Sequence, residues 1–226
     1  MNDLVLTSDG SHTLRSGRFG VEYHSIHGAV QESRHVFIKA GLQPLLEAGA
    51  RRVRILEMGF GTGLNALLVR EAARRNQEVE FTYHTYEQFP VSPIEIATLN
   101  YPAQLGVEEA IFVGLHDSGW EESLQLDDNF TLHKRQADFL TDSERPYADG
   151  TMDLIFYDAF APSSQPEFWE TEGLAVSFAA LRPGGNLVTY CAKGQFKRNL
   201  RAVGFTVVPL PGPPGKREMT MGVKPA

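Results

Sequence analysis

Cysteine is almost absent from this sequence, since Cys191 is the single one among 226 residues. One thiol excludes an internal disulfide framework and a zinc site built from cysteines. Cys191 follows the apolar run 187–190, so the sequence favours a buried thiol at a strand end over a nucleophile. No metal site is expected.

Long apolar runs and an excess of positive charge are lacking too. No run reaches the length that spans a bilayer, and the first residues do not form a charged-then-apolar leader, so we expect a cytoplasmic protein with no membrane partner. The net charge of −7 argues against a protein that coats nucleic acid over a wide face. Local basic patches remain open at residues 51–54, 193–201 and 216–217, although such charges usually lie on solvated faces.

The composition, with 42% hydrophobic and 22% charged residues, predicts one globular domain, which is organised around residues 56–65. Residues 53–58 alternate as a β-strand does, and residues 64–75 carry apolar side chains at helical spacing. Between them lie Gly59, Gly61 and Gly63, which permit positive φ and the close approach of a ligand at a helix N-terminus. Their spacing differs from the dinucleotide fingerprint, so the loop predicts another nucleotide-like cofactor, with a plain tight turn as the alternative.

The acidic residue two positions before the first glycine, Glu57, makes this loop similar to that of class I S-adenosylmethionine (AdoMet) methyltransferases. A carboxylate there is compatible with a ligand that carries an ammonium group and no pyrophosphate. Residues 78–86 alternate like a second strand and end at Glu87, where this architecture has an acidic residue that binds ribose hydroxyls. A solvated Glu87 at a strand end is the alternative.

Two more predicted strands end at the same edge. Residues 130–133 predict a strand that delivers Asp138, a residue that methyltransferases commonly use to accept a hydrogen bond from adenine; a helix N-cap is the alternative. Residues 152–157 predict an apolar strand that ends in Asp158. Ligands bind at strand carboxyl ends in open α/β sheets, so Asp158 is expected at the reaction face, with a cap of the following loop as the alternative.

The remaining chain predicts a Rossmann-like α/β fold. Residues 1–50 are expected to form an N-terminal extension, with a β-hairpin around residues 8–11 and helical segments over 31–48 interrupted near Gly41 and Pro44. Residues 51–226 predict a class I AdoMet methyltransferase domain with a seven-stranded, mostly parallel sheet that ends in an antiparallel hairpin. Further helices are expected over 92–99, from Pro166, and over 196–203, whereas residues 101–130 are hard to interpret.

Three runs of residues carry a closer resemblance: 59–65, 158–162 followed by Phe168 and Trp169, and 215–219, with support from 31–37. They resemble the tRNA 5-aminomethyl-2-thiouridine methyltransferases, which form half of bifunctional MnmC or stand alone as MnmD. The resemblance spans nearly the whole chain. The FAD-dependent oxidase half has no room in 226 residues, so we expect a stand-alone transferase and a separate FAD-dependent oxidase for the preceding step.

The resemblance implies transfer of the AdoMet methyl group to the primary amine on the 5-substituent of the wobble uridine in the anticodon loop of tRNA. It implies that Asp158 binds this amine, with the general base as a further role. The implied cofactor contacts are Glu57, Gly59, Gly61, Gly63, Asn65, Glu87 and Asp138. The implied substrate contacts are Phe160, Lys216, Arg217 and Arg34.

Two other functions remain open. Transfer to a small-molecule amine such as a polyamine would require further carboxylates around Asp158, whereas residues 159–162 are Ala, Phe, Ala and Pro. A non-catalytic AdoMet-binding partner subunit would bind the cofactor without consuming it. A dehydrogenase is disfavoured by the glycine spacing.

Overall fold

Strands of the computed structural model, which describes residues 2–226, form a two-stranded hairpin and an eight-stranded sheet. They are β1 (Asp3–Leu6), β2 (His12–Arg15), β3 (Arg52–Met58), β4 (Glu80–Tyr86), β5 (Ser123–Asp127), β6 (Phe130–Arg135), β7 (Met152–Tyr157), β8 (Leu181–Thr189), β9 (Thr206–Pro211) and β10 (Glu218–Val223). The large sheet has the order β5-β6-β4-β3-β7-β8-β10-β9. Its five central strands, which are β6, β4, β3, β7 and β8, are parallel to one another.

The sheet confirms the predicted mostly parallel architecture with an antiparallel terminal hairpin, because β10 runs antiparallel to both β8 and β9. It has eight strands where seven were predicted. The additional strand β5 pairs antiparallel with β6 at the edge of the sheet. Three of its five residues are exposed, so it lacks the apolar alternation that marks a half-buried strand.

The helices cover both faces of the large sheet. They are α1 (Ala29–Ser33), a π-helix (Arg34–Leu42), α2 (Gln43–Glu47), α3 (Leu64–Arg75), α4 (Pro93–Ile96), α5 (Tyr101–Leu105), α6 (Glu109–Asp117), a 3₁₀-helix (Pro166–Trp169), α7 (Thr171–Ala180) and α8 (Gly194–Val203). Among residues 2–226, no helix combines the length and apolar character needed to cross a membrane.

Several helix boundaries differ from the sequence-based expectations. The predicted interruption near Gly41 and Pro44 is replaced by a π-helix, whose wider turn is seen where the N–H of Gln43 donates to the carbonyl of Ile38. The helix at Ser92 begins as predicted, with a capping box to Glu95, but ends at Ile96. The helix expected from Pro166 starts as one 3₁₀ turn, because Glu170 is extended and α7 begins only after it.

Two layers of buried side chains hold these elements together, one on each face of the sheet. Strand β3 supplies both, since Val53 and Ile55 face α3 whereas Leu56 and Met58 face α7 and α8. A parallel strand covered on both faces is apolar along its length, and β3 departs from this rule only near Glu57 and the arginines at its start.

Residues 1–50 contribute to the first of these layers. The ring centroid of Phe37 lies 5.0 Å from that of Phe156 on β7, and Leu14, Val30 and Leu42 are buried in the same layer. The β1–β2 hairpin is confirmed in the predicted place. The division of the chain at residue 50 stays a prediction.

The contact of the π-helix with the sheet can be tested at Gly41. A Cβ at this position would lie 3.0 Å from Val188 Cγ2 and 3.4 Å from Leu154 Cδ1. We expect Gly41→Val to lower the free energy of unfolding by about 1–3 kcal/mol through overpacking, measured by urea denaturation. Gly114→Ala is the matched control, because a Cβ in this helix meets only Arg70 Nη1, at 3.9 Å. The control should be neutral or stabilising by up to about 1 kcal/mol, and equal losses in both variants would contradict the packing described here.

Candidate active site

The candidate site lies where the strand order of the sheet reverses. Strand β4 pairs on one side of β3 and β7 on the other, which creates a crevice at the carboxyl ends of β3 and β7. The register pairs Met58 with Tyr157, so the residues that follow them, Gly59 and Asp158, are neighbours. A Cβ on Gly59 would lie 3.1 Å from the carbonyl oxygen of Asp158.

The three glycines of the loop serve different contacts. Their φ values are +89° for Gly59, +50° for Gly61 and +73° for Gly63, a region that L side chains rarely adopt. Gly61 lines the cavity, and the ring of Tyr23 lies 3.1 Å from the place of its absent Cβ. A Cβ on Gly63 would instead lie 2.7 Å from His116 Nε2, so this glycine permits the packing of α3 against α6.

Glu87 connects the second strand end to the glycine loop. Its Oε2 accepts the N–H of Gly61 at 3.0 Å, and its Oε1 accepts the N–H of Phe89 at 2.8 Å. Burial raises the pKa of Glu87, and the two backbone donors act against this rise. Glu87 is therefore a fixed acceptor on the cavity wall and not the solvated strand end of the alternative interpretation.

Asp138 stands on the same wall, beside Ala137 and Phe139. Its Oδ1 accepts the N–H of Leu140 at 2.9 Å. The residues after it form a turn and not a helix, so Asp138 caps a turn here. Its other oxygen is left for a donor in the cavity.

Two acidic residues and one amide lie next to the glycine loop, with Asn65 and Asp158 on the cavity wall and Glu57 buried behind it. Asn65 Nδ2 donates to Asp158 Oδ2 at 2.8 Å, and Thr85 Oγ1 donates to Glu57 Oε2 at 2.7 Å. Burial raises the pKa of Glu57 to about 8. Burial, followed by the charge of Glu57, raises the pKa of Asp158 well above its usual range. Two carboxyl groups so close in a buried site favour the neutral form of both.

The sequence-predicted site residues divide into three groups. The residues that line one cavity are Gly59, Gly61, Asn65, Glu87, Asp138, Asp158 and Phe160. Glu57 and Gly63 do not line it, because Glu57 is buried behind the loop and Gly63 faces α6. The basic candidates Lys216, Arg217 and Arg34 lie outside the cavity.

The basic candidates have distinct surroundings. Lys216 Nζ pairs with Glu32 Oε1 at 2.7 Å and lies 4.0 Å from the ring centroid of Tyr190, whose hydroxyl donates to the carbonyl of Ala159. Arg217 is exposed beside it. Arg34 lines a separate outer groove with Asp9 and Lys39, so the structure does not bring it to the cavity.

Several cavity residues were not predicted from the sequence. Phe19, Tyr23 and His24 come from the extension, and Gln165 and Phe168 from the segment after Asp158. Burial lowers the pKa of His24 to about 4, which keeps its ring neutral. The aromatic character of residues 19–24 is a weak signal, because only the tertiary fold brings them over the glycine loop.

The donor and acceptor pattern fits AdoMet. The cofactor presents N–H groups on adenine, hydroxyls on ribose and an ammonium group, and the site offers the carboxylates of Asp138 and Glu87 on one wall. Asn65 Oδ1 is buried and has no hydrogen-bond partner among residues 2–226, so it is a free acceptor near Asp158. Among the same residues, no three His, Cys, Asp or Glu side chains cluster as a metal site would require.

Comparison with known proteins agrees with this geometry. A family described as S-adenosyl-L-methionine-dependent methyltransferase matches residues 126–225. This region is 100 of the 226 residues and runs from β5 to β10. A solved structure of MNMC2 from Aquifex aeolicus has a TM-score of 0.82 at 24% identity, covering 100% of this chain and 72% of that one. A probable spermidine synthase from Corynebacterium glutamicum has a TM-score of 0.53 at 19% identity, covering 98% of this chain and 76% of that one. Both likenesses establish the methyltransferase fold.

Curated relatives of this chain carry a more specific name. The tRNA 5-methylaminomethyl-2-thiouridine biosynthesis bifunctional protein MnmC of Chromohalobacter salexigens is 31% identical over 225 residues, which are 95% of this chain and 32% of the relative. The protein of the same name from Aromatoleum aromaticum is 32% identical, over 97% of this chain and 35% of the relative. The chain thus spans about a third of the length of the curated relatives it matches.

The raised pKa of Glu57 predicts how the stability of the protein changes with pH. The folded chain keeps a proton on Glu57 up to about pH 8, whereas the unfolded chain releases it near 4.5, so stability falls as the pH rises through this window. Glutamine cannot ionise and can still accept from Thr85. The Glu57→Gln variant should therefore gain at least about 1.4 kcal/mol over wild type between about pH 5 and about pH 9, the equivalent of one pKa unit. Urea denaturation at both pH values measures this gain, and a difference that stays constant with pH contradicts the prediction.

Glu87 tests the cofactor contact. Loss of a carboxylate that accepts from ribose hydroxyls removes charge-assisted hydrogen bonds, so we expect Glu87→Ala to weaken S-adenosylhomocysteine by about 10- to 100-fold in calorimetry. Glu80→Ala is the matched control, because Glu80 is exposed at the opposite end of the same strand. Equal affinity of the wild-type and Glu87→Ala proteins would assign Glu87 a purely structural role.

Proposed function

We propose that this methyltransferase transfers the AdoMet methyl group to the primary amine of the 5-aminomethyl group on the wobble uridine of tRNA. The product is the 5-methylaminomethyl nucleoside. The observation that carries the proposal is Asp158 at the end of β7, held by Asn65 at the wall of the crevice that the glycine loop and Glu87 also line. The names of the MnmC relatives, which include 5-methylaminomethyl-2-thiouridine biosynthesis, support the same substrate.

The transfer forms one N–C bond and breaks one S–C bond, and the amine loses a proton. AdoMet, when bound, supplies an activated methyl group. An alkyl amine resembles Lys, with a pKa of about 10, so at neutral pH it arrives mostly as ammonium. Burial, followed by the charge of Glu57, raises the pKa of Asp158, so any proton that it carries must pass to solvent before it can accept one from the amine. A cation beside it favours its ionised form, and the carboxylate then orients the amine.

The proton of the amine must leave before or during the transfer. Asn65 occupies Asp158 Oδ2, so the amine would face Asp158 Oδ1. In the proposed mechanism, Asp158 holds the nitrogen in line with the methyl group and accepts its proton. The raised pKa makes Asp158 a better proton acceptor than an ordinary aspartate.

Basic side chains near the carboxyl edge suit an anionic substrate despite the overall acidity. Lys193 precedes α8 and Arg217 precedes β10, and both are exposed. Lys197 pairs with Glu218 and Lys216 with Glu32, so these two charges are partly compensated. Arg51, Arg52 and Arg54 lie at the start of β3, the opposite edge of the sheet. We therefore propose phosphate contacts from Arg217 and Lys193 and none from the β3 arginines.

The proposed substrate would place the protein in the cytoplasm. A separate FAD-dependent oxidase for the preceding modification step also stays a proposal. The alternatives are a polyamine-type amine as substrate or a non-catalytic AdoMet-binding subunit. Methyl transfer from labelled AdoMet, compared between spermidine and tRNA that carries 5-aminomethyluridine, separates all three. Transfer to spermidine alone, or no turnover with bound AdoMet, would select the corresponding alternative.

Asp158 distinguishes a catalyst from a binding protein. We expect Asp158→Ala to leave AdoMet affinity within about threefold and to lower turnover by about 10² or more, the scale of a positioned acid–base group. Asp158→Asn keeps the shape of the side chain, but its amide cannot accept the proton of the amine. If Asp158→Asn turns over near the wild-type rate, Asp158 only positions the amine. If its turnover is as low as that of Asp158→Ala, the result supports Asp158 as the general base.

Asp128→Ala controls for the loss of one acidic residue, because Asp128 is exposed in the turn between β5 and β6. Its turnover should match wild type. Methyl transfer by Asp158→Ala at the wild-type rate would show that the reaction centre lies elsewhere.

A further inference from the structure

A short turn of the N-terminal extension, residues 16–20, stands at the rim of the active-site cavity. Its backbone is closed on itself, since the N–H of Ser16 donates to the carbonyl of Val21 and the N–H of Gly20 to the carbonyl of Ser16, each at 2.8 Å. The buried Ser16 Oγ accepts the N–H groups of Arg18 at 3.3 Å and Phe19 at 3.1 Å. The turn therefore presents the side chains of Arg18 and Phe19 from a fixed support.

The side chain of Phe19 reaches from this turn into the cavity. Its ring centroid lies 4.8 Å from that of Phe160, at an interplanar angle of 40°. Phe160 is the second residue after Asp158, and its N–H donates to Gln165 Oε1 at 3.0 Å, which fixes the loop. Both rings are only partly buried and line the cavity with Asp158. Aromatic faces are thus available next to the carboxylate that is proposed to bind the amine.

Arg18 places a positive charge beside these rings. Its guanidinium carbon lies 3.7 Å from the ring centroid of Phe89 and 5.9 Å from that of Phe19. Arg18 is exposed and held by aromatic faces, so its N–H groups stay available to an anion. Phosphate is the anion that lies next to the base in any nucleotide, and planar guanidinium groups bind it in a bidentate manner.

Tyr23, on the same segment, has a different position. Its ring lies against Gly61 of the glycine loop, and its centroid is 4.9 Å from that of Phe160. Tyr23 therefore contacts both the glycine loop and Phe160, whereas Phe19 contacts Phe160 and lies beside Arg18, at the outer end of the segment.

We infer that residues 16–20 recognise the substrate nucleotide, with Phe19 stacking on the uracil ring and Arg18 binding an adjacent phosphate. This inference rests on the proposed function, because it takes the amine on the 5-substituent to be the group that reaches Asp158. Stacking on aromatic side chains and Arg is the general mode by which unpaired bases are bound. A loop nucleotide such as the wobble base is already unpaired and needs no extraction from a helix.

Phe19 variants test the stacking. We expect Phe19→Leu to raise the KM for tRNA carrying 5-aminomethyluridine by about tenfold, the scale of one lost base–aromatic stack, with S-adenosylhomocysteine affinity within about twofold of wild type. Phe19→Tyr keeps the aromatic face and should restore the KM. An unchanged KM in Phe19→Leu would overturn the inference. A loss of S-adenosylhomocysteine affinity as large as the rise in KM would also overturn it, because Phe19 would then contact the cofactor and not the base.

Arg18 variants test the phosphate contact by salt dependence. Arg18→Ala should lower the slope of log Kd against log salt concentration by about 0.7, the value for one phosphate contact on a single strand, measured with a labelled anticodon stem–loop. Arg51→Ala is the matched control, because it removes the same charge from an exposed position at the amino end of β3. Equal slopes for wild type and Arg18→Ala, or equal changes in both variants, would exclude a specific contact.

The same experiments keep this inference apart from the proposed function. If wild type binds the stem–loop through Arg18 and Phe19 but transfers no methyl group, the proposed reaction fails and the recognition stands. If wild type methylates tRNA while the Phe19 and Arg18 variants match it in KM and slope, the recognition fails and the reaction stands. Thermal melting of each variant confirms that it is folded, and the Arg18 measurement decides the question if Phe19→Leu does not fold.

Discussion

The hydrogen bond from Asn65 to Asp158 lies at the point where the sheet changes direction, and the proposed chemistry of the site depends on it. Asn65 donates to Asp158, while Glu57 lies behind it on β3 and accepts from Thr85. Glu57 is buried and Asp158 is partly buried, and burial raises the pKa of both carboxyl groups, which favours their proton-bound forms in the absence of a cation. A neutral buried acid costs far less free energy than a buried charge, so the fold tolerates two acids in its core. In the proposed mechanism, a cationic amine beside Asp158 favours its ionised form.

The site is assembled from strand ends that are distant in sequence. β3 supplies the glycine loop, β4 supplies Glu87, the turn after β6 supplies Asp138, and β7 supplies Asp158. Parallel strands deliver all these residues to one edge, where Glu87 also binds the backbone of the glycine loop. The N-terminal extension adds a further part of the wall, so no single element forms the whole cavity.

The parts that could be predicted are those that have a local sequence signal. The glycine loop, the helix after it and the acids at strand ends follow from alternation, glycine spacing and the rule for parallel sheets. Phe19 and Tyr23 could not be found in this way, because their place over the cavity depends on tertiary contacts of the extension. β5 was missed since its exposed residues do not alternate, and the basic residues were hard to assign because charge alone does not reveal whether Lys216 faces a ligand or Glu32.

The outer strand β9 has a consequence for how the protein behaves at high concentration. It lies at one edge of the large sheet, and its sequence, Thr206–Pro211, contains Pro209 and Pro211. Proline has no N–H, so two of the donors that a neighbouring chain would need to extend the sheet are missing from this strand. Edge strands with a complete row of donors are templates for intermolecular β-pairing. These prolines therefore protect one end of a long, mostly parallel sheet from growth by addition of further copies.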